Sequence, residues 1–410
     1  MVRVATVASA GTAAVSDLFG KCRSPQLENY RAGGQPGLRP VRRQMTSGCG
    51  PVVDKSGRTV IMLGSNDYLG LSGDERVKRA AIDAVERFGT GCTGSRLMNG
   101  TISLHHELED VLADWLQMDA SLVFTTGYSV DLGLVSTLVD GGDAVFVDST
   151  SHAGWTDGAK LSNGVLRPFG HRQPASLEQR LRSWRDTYPG GGGGLVAVDG
   201  IDPLEGDVAP VAEIASVCSS LRARLLVDEG HALGVVGPEG AGVAAAAGIR
   251  PDLVTGTFSK SLASWGGFVA GPQPVIDYLR VACRPLIFTA SGVPAALGAA
   301  LAAVAIARVD DERRQLVLAR ATQLHRGLRD LGYRVGPEPQ GPIVPVHVGG
   351  DWDAGRLWRA LSDLGVHTSC AVASTVPTGR ALLRTSVMAT HTEQQIDQAL
   401  GAFEKARSML

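Results

Sequence analysis

Apolar and polar positions alternate in blocks along this chain, in a rhythm that predicts strands and helices in turn. Over residues 74–88 the apolar residues Val77, Ala81, Val85 and Phe88 recur at helical spacing, and residues 105–116 repeat the pattern. Short apolar runs at 121–124, 144–147, 195–198, 224–227 and 253–255 read as strands, with helices through Leu138 and near 211–221 between them. Such alternation argues for an α/β fold with a mainly parallel sheet covered by helices. A short strand at 59–63 precedes this region, and a long Ala/Leu helix at 294–309 closes it. Beyond come strands at 333–335, 343–348 and 381–386 and an amphipathic helix at 353–364, which together suggest a smaller α+β unit. The last helix starts at Thr392, whose hydroxyl forms a capping-box pattern with Gln395, and Ile396, Leu400 and Phe403 supply its buried stripe. The expected organisation is an irregular N-terminal arm over 1–58, a large domain over 59–293 and a small domain over 294–410. Gly/Pro breaks at 33–37 and 50–51 mark the arm. The glycine run at 190–194 has no helix start behind it, so it reads as a connector.

Composition narrows the function classes. With 410 residues and 44% hydrophobic content the chain can bury a large core. A net charge of −2 argues against a nucleic-acid partner held by phosphate neutralisation. The six cysteines show neither metal spacing nor a CxxC pair and read as reduced thiols of a cytoplasmic protein. Cys92, in a glycine-rich turn, is either a reactive thiol or a small buried residue, with burial the favoured reading. No segment has transmembrane length; residues 4–16 are uncharged but too short to span and make a poor secretory signal.

Three segments carry candidate chemistry. In GTFSKSLASWGG, Lys260 stands between small hydroxyl residues and the pair Gly266-Gly267. An enzyme that holds an aldehyde cofactor as a Schiff base needs such an amine, desolvated enough to lose its proton. Alone, the segment reads more readily as a solvated loop lysine. Upstream, the strand at 225–227 runs into Asp228 and then His231. A carboxylate at the carboxyl end of a buried strand marks a ligand crevice in an α/β sheet, and one beneath a pyridine nitrogen keeps that ring protonated and electron-withdrawing. A helix-capping aspartate is the plainer alternative for Asp228. Finally, His152 follows the strand at 144–147, where its ring could stack on a flat heteroaromatic or serve only a structural role.

Taken together these segments resemble the α-oxoamine synthases, pyridoxal-phosphate enzymes that condense an amino acid with an acyl thioester. LGSNDYLGL, FGTGCTGSRLMNGT, FTTGYSVDLG, SHAGWTDG, GDVAPVAEI, VDEGHALGVVG, GTFSKS and RTSVMATHTEQQID occur in the family's order, from about Ile61 onward. SRLMNGT, GTFSKSLASWGGFVAG and RVACRPLIFTAS look most like the serine palmitoyltransferase branch. The resemblance implies a fold type I architecture with a seven-stranded sheet and pyridoxal 5'-phosphate as cofactor. It also implies a homodimer, and serine as the amino acid ahead of alanine or glycine, with the acyl group on coenzyme A or a carrier protein. Lys260 would tether the cofactor and act as base, Asp228 would pair with the ring nitrogen, His231 with the phenolic oxygen, and His152 would stack. Gly127, Tyr128 and Thr257 would hold the phosphate, joined by Ser291 from the neighbouring subunit, while Asp199 keeps the family's acid. Asn66 and Arg384 would bind the substrate carboxylate.

The chain also departs from the family pattern. Asp202 and Pro203 replace an aromatic and a serine, Asp131 replaces an asparagine, Gly154 a serine, and Ala241 an arginine. Pro203 offers neither hydroxyl nor N–H. Two competing readings share parts of this pattern: a fold type I aminotransferase or aldolase, and a non-catalytic partner subunit of a synthase. The presence of Lys260, Asp228 and His231 argues against the second.

Overall fold

The computed structural model describes residues 18–23, 44–55, 57–373 and 375–407. The breaks at 33–37 and the stretch 4–16 lie outside these residues. Two sheets organise the chain. The larger has seven strands in the order β3-β9-β8-β7-β6-β4-β5. These are β3 (Ala120–Phe124), β4 (Ala144–Asp148), β5 (Val165–Phe169), β6 (Gly194–Asp199), β7 (Arg224–Asp228), β8 (Leu253–Thr257) and β9 (Gly267–Gly271). Strands β4 to β8 run parallel, and β9 is antiparallel to both β8 and β3.

Alternate residues of each central strand enter different cores, because side chains point to opposite faces. Val145, Ala197 and Leu226 pack with Val130 and Leu134 of the helix Gly127–Leu138 on one face. Phe146, Val196 and Val227 pack with Trp184 and Ile214 on the other. Such two-sided burial is why these strands read as continuous apolar runs.

Two strands of this larger sheet were not anticipated from the sequence, nor were β1 (Val52–Lys55) and β12 (Val366–Ala371) of the smaller one. β5 contains Pro168, which a ladder tolerates because β5 is the sheet's edge. β9 begins in a glycine pair that reads as a loop. A Cβ on Gly267 would stand 2.8 Å from Gly127 N and Cα, so glycine here lets a helix start rest directly on a strand.

The smaller sheet takes strands from distant parts of the sequence, in the order β1-β2-β12-β13-β11-β10. β1 (Val52–Lys55) and β2 (Arg58–Leu63) form a hairpin, so a strand lies inside the segment expected to be irregular. β2, expected to open the large domain, instead pairs in parallel with β12 (Val366–Ala371). The remaining strands are β10 (Arg334–Val335), β11 (Ile343–Gly349) and β13 (Ala381–Ser386). The helices Glu75–Phe88 and Pro294–Val309 pack against each other. They approach so closely that a Cβ on Gly298 would lie 2.5 Å from the Ala80 carbonyl oxygen. The final helix carries the expected cap: Gln395 N–H donates to Thr392 Oγ1 at 3.2 Å, and Thr392 N–H to Gln395 Oε1 at 3.0 Å.

Candidate active site

The carboxyl ends of β6, β7 and β8 converge on a cavity of about 210 Å³, walled by Gly127, His152, Asp228, His231, Thr257 and Lys260 among others. Open α/β sheets place ligands at this edge. Lys260 sits in the turn just past β8. A Cβ on Gly230 would stand 2.9 Å from Lys260 Nζ and 2.8 Å from Asp228 Oδ1, so amine and carboxylate face the same space only because residue 230 has no side chain. Burial lowers the Lys260 pKa against the pull of Asp228 and Asp199. Desolvation of this kind favours the uncharged amine, the form that carries the electron pair a nucleophile needs.

Asp228 ends β7. Its Oδ1 accepts the Gly230 N–H at 2.8 Å and its Oδ2 the Thr255 hydroxyl at 2.8 Å. Directly across the ladder Asp199 ends β6. Burial, reinforced by the Asp228 charge, raises Asp199 to about 8, and burial raises Asp131 to about 7. Full ionisation of neighbouring buried carboxylates is unfavourable, so these groups share protons. His152 caps the helix Ala153–Leu161. Its backbone N–H donates to Asp199 Oδ2 at 3.0 Å, and its Nδ1 lies 2.6 Å from Asp131 Oδ2. The Tyr128 ring meets it edge-on at 6.2 Å.

Opposite Lys260, the cavity meets the first turn of the helix Gly127–Leu138, capped by Thr126, which accepts the Ser129 N–H at 3.0 Å. Free backbone N–H groups at a helix start attract anions. Thr257 closes this end, donating to the Gly266 carbonyl at 2.8 Å and pairing with the Ser259 hydroxyl at 2.8 Å. The Tyr128 hydroxyl donates to Asp157 at 2.9 Å. This end is thus a backbone cradle, narrowed by glycines, that suits a phosphate.

A residue the sequence reading passed over, Tyr68, links the rest. Its fully buried hydroxyl lies 2.7 Å from His231 Nδ1 and 3.1 Å from Asn66 Oδ1, and accepts from Arg384 Nη2 at 2.9 Å. Burial drives the His231 pKa well down, so that ring is neutral. Arg384, on β13, also donates from Nε to the Pro203 carbonyl at 2.6 Å. The proline that lacks a hydroxyl therefore still contributes an acceptor. Asp202 shapes the same loop by accepting the N–H groups of Leu204 and Glu205 at 2.8 and 2.7 Å. Ser291 is buried beside Gly94 and Gly100, its hydroxyl donating to the Gly100 carbonyl at 2.5 Å, and stands outside the cavity wall. Cys92 is half-buried, not buried as favoured. The spacing of Tyr68 inside NDYLGL gave no chemical signal of its own; its partners are 163 and 316 residues away.

A lysine with a lowered pKa facing a strand-end carboxylate, next to an anion cradle, defines a fold type I pyridoxal-phosphate site. The chain belongs to the aminotransferase class I and II family, which it matches over residues 58–403. Within that family it is an α-oxoamine synthase. It is 40% identical over 379 residues to a serine palmitoyltransferase of Caulobacter vibrioides, covering 91% of this chain and 92% of that protein. Over 379 residues it is 36% identical to an 8-amino-7-oxononanoate synthase of Marinobacter nauticus, covering 92% and 94%. A solved serine palmitoyltransferase carrying PLP superposes with a TM-score of 0.92 at 36% identity, over 96% of this chain and 99% of that one. The Sphingomonas wittichii serine palmitoyltransferase gives the same score at 35% identity and the same coverage. The chain is accordingly a pyridoxal-phosphate-dependent acyltransferase that joins an amino acid to an acyl thioester with loss of carbon dioxide.

Proposed function

We propose that the amino acid is serine, and that Lys260, Asp228, His231, His152, Asn66 and Arg384 perform the reaction. The observation that carries the catalytic assignment is the approach of Lys260 and Asp228 across Gly230, and the likeness to serine palmitoyltransferases supports serine. Lys260 is the amine that would tether the cofactor aldehyde. Asp228 would keep a proton on the ring nitrogen, neutral His231 would serve the phenolic oxygen, and His152 would cover the ring. The first-turn N–H groups at Gly127 and Tyr128, with Thr257, would receive the phosphate. Bound there, pyridoxal phosphate withdraws electron density from the α-carbon.

The protein groups then divide the work. Arg384 grips the serine carboxylate with its planar fork, with Asn66 beside it. Lys260 Nζ is the base placed to take the α-proton of the bound serine. His152 donates toward the oxygen of the thioester carbonyl as negative charge builds there. Lys260 returns a proton to the α-carbon after carbon dioxide leaves.

A second copy of the chain completes the assembly in this reading. Trp265, Phe288 and Met98 are 61%, 70% and 78% exposed, large apolar side chains of the kind a partner covers, and Ser291 is assigned to the partner's phosphate site. The six free cysteines fit a reducing cytoplasm, and no described helix is long and apolar enough to cross a membrane. The experiment is to incubate holoenzyme with a long-chain acyl-CoA and serine, alanine or glycine in turn, measuring ketone and carbon dioxide. Serine should give the highest kcat/KM. Preference for alanine or glycine would overturn the serine assignment, and amino-group transfer without ketone would overturn the condensation.

A further inference from the structure

The departures Asp131, in the cavity wall, and Gly154 meet at one point behind it. A Cβ on Gly154 would stand 2.6 Å from Asp131 Oδ2 and 2.7 Å from Asp131 Cβ. Glycine at 154 therefore admits the carboxylate to the position where it meets His152 Nδ1 at 2.6 Å. The two substitutions form one device. Asp131 and His152 share a proton across this contact; with that proton on Nδ1 the carboxylate only accepts, and the far nitrogen, Nε2, is left to face other groups. Nε2 makes no hydrogen bond among the described residues.

We propose that Asp131 is a positioning residue that holds His152 as a cationic donor, with its Nε2–H offered to the negatively charged oxygen of the reacting acyl group. This rests on the reading of the cavity as a condensing site and adds to it the origin of the histidine's charge. The groups facing the ring agree with that charge. Asp131 and Tyr128 approach from the helix Gly127–Leu138, Asp157 from the helix that His152 begins, Asp199 from β6 and Asp228 from β7. Lys260 is the opposing cation nearby, and His231, also facing the ring, is neutral. The contact with Asp131 is the largest influence raising the His152 pKa, ahead of the burial that lowers it.

The test is a 13C NMR titration of histidine-labelled holoenzyme, with the His152 signal assigned through H152N. The wild-type midpoint should lie above that of an ordinary imidazole. D131N, nearly the same shape, should lower it by at least about one unit, a tenfold loss of proton affinity. The alkaline limb of the kcat profile should move by the same amount. G154A, which expels the carboxylate sterically, should shift the midpoint the same way and covers the case in which D131N does not fold. An unchanged midpoint in either folded variant overturns the proposal. Because the titration needs no turnover, it stays readable if the condensation assay fails, so the two ideas fail separately.

Discussion

Two clusters of buried charge lie at the same edge of the large sheet, and they are built on opposite plans. Around Lys260, the carboxylates of Asp131, Asp199 and Asp228 crowd a cavity, and two of them are pushed up to about 7 and 8. One strand-end away, His171 is clamped between Asp148 and Asp207. Its Nδ1 lies 2.9 Å from Asp148 Oδ1 and its Nε2 3.1 Å from Asp207 Oδ2, with Arg172 also on Asp207 at 3.0 Å. Burial opposes the imidazolium, yet the two carboxylates win and raise His171 to about 10. Both aspartates, despite burial, are lowered by the same contacts. One cluster keeps its groups poised to exchange protons; the other settles every charge against a partner. Perturbed groups of the first kind belong to chemistry, and those of the second to architecture.

The largest blow to that contrast would come from Lys260→Ala. Turnover should fall at least about 10³-fold, while cofactor absorbance persists and borohydride no longer fixes the cofactor to the chain. Wild-type turnover would move the chemistry elsewhere. His171→Ala should act on the other cluster, removing about 3 kcal/mol of stability in urea titrations because two carboxylates lose their common cation. Lys260 should remain trappable by borohydride in that variant. The sign of the pH effect follows from the raised His171 value. Its stabilising contribution is complete below the ordinary imidazole range and is lost as pH rises through about 10. Urea midpoints that do not fall more steeply for wild type than for His171→Ala between pH 8 and 10.5 would remove the clamp from the account.

Arg384→Ala should raise the KM for serine by about 10- to 100-fold, the worth of charge-assisted hydrogen bonds, and affect the thioester KM much less. The reverse pattern would detach Arg384 from the carboxylate. Thr392→Ala should cost only about 1 kcal/mol of stability and leave both clusters untouched, which fixes the scale of a change remote from either.

Legibility from sequence followed how local each interaction is. The helix Pro294–Val309 and the strand Ala381–Ser386 were readable to both ends, because periodicity and small-residue content are properties of adjacent positions. β9 was not, because its glycines serve a contact with Gly127 that no neighbouring residue announces. The lysine turn and the strand-end aspartate declared themselves through local pattern. Tyr68 did not, since its meaning lies in His231 and Arg384 far along the chain. Asp131 was visible as a departure, but its pairing with His152 and its dependence on Gly154 required three-dimensional distance. Pro203 was read for the groups it lacks, when the group that mattered was its carbonyl.

The smaller sheet carries a consequence for how the protein is made. Lys55, beside β2, bonds to His367 at 2.9 Å across 312 residues of sequence, and β2 itself pairs with β12. While the ribosome is still translating, the early hairpin has no neighbour and leaves one edge of paired backbone open. Such a long wait makes assembly of that half slow and gives nascent chains a period in which they can associate wrongly. Overproduction should therefore respond to slower synthesis or added chaperone more than to changes around the cavity.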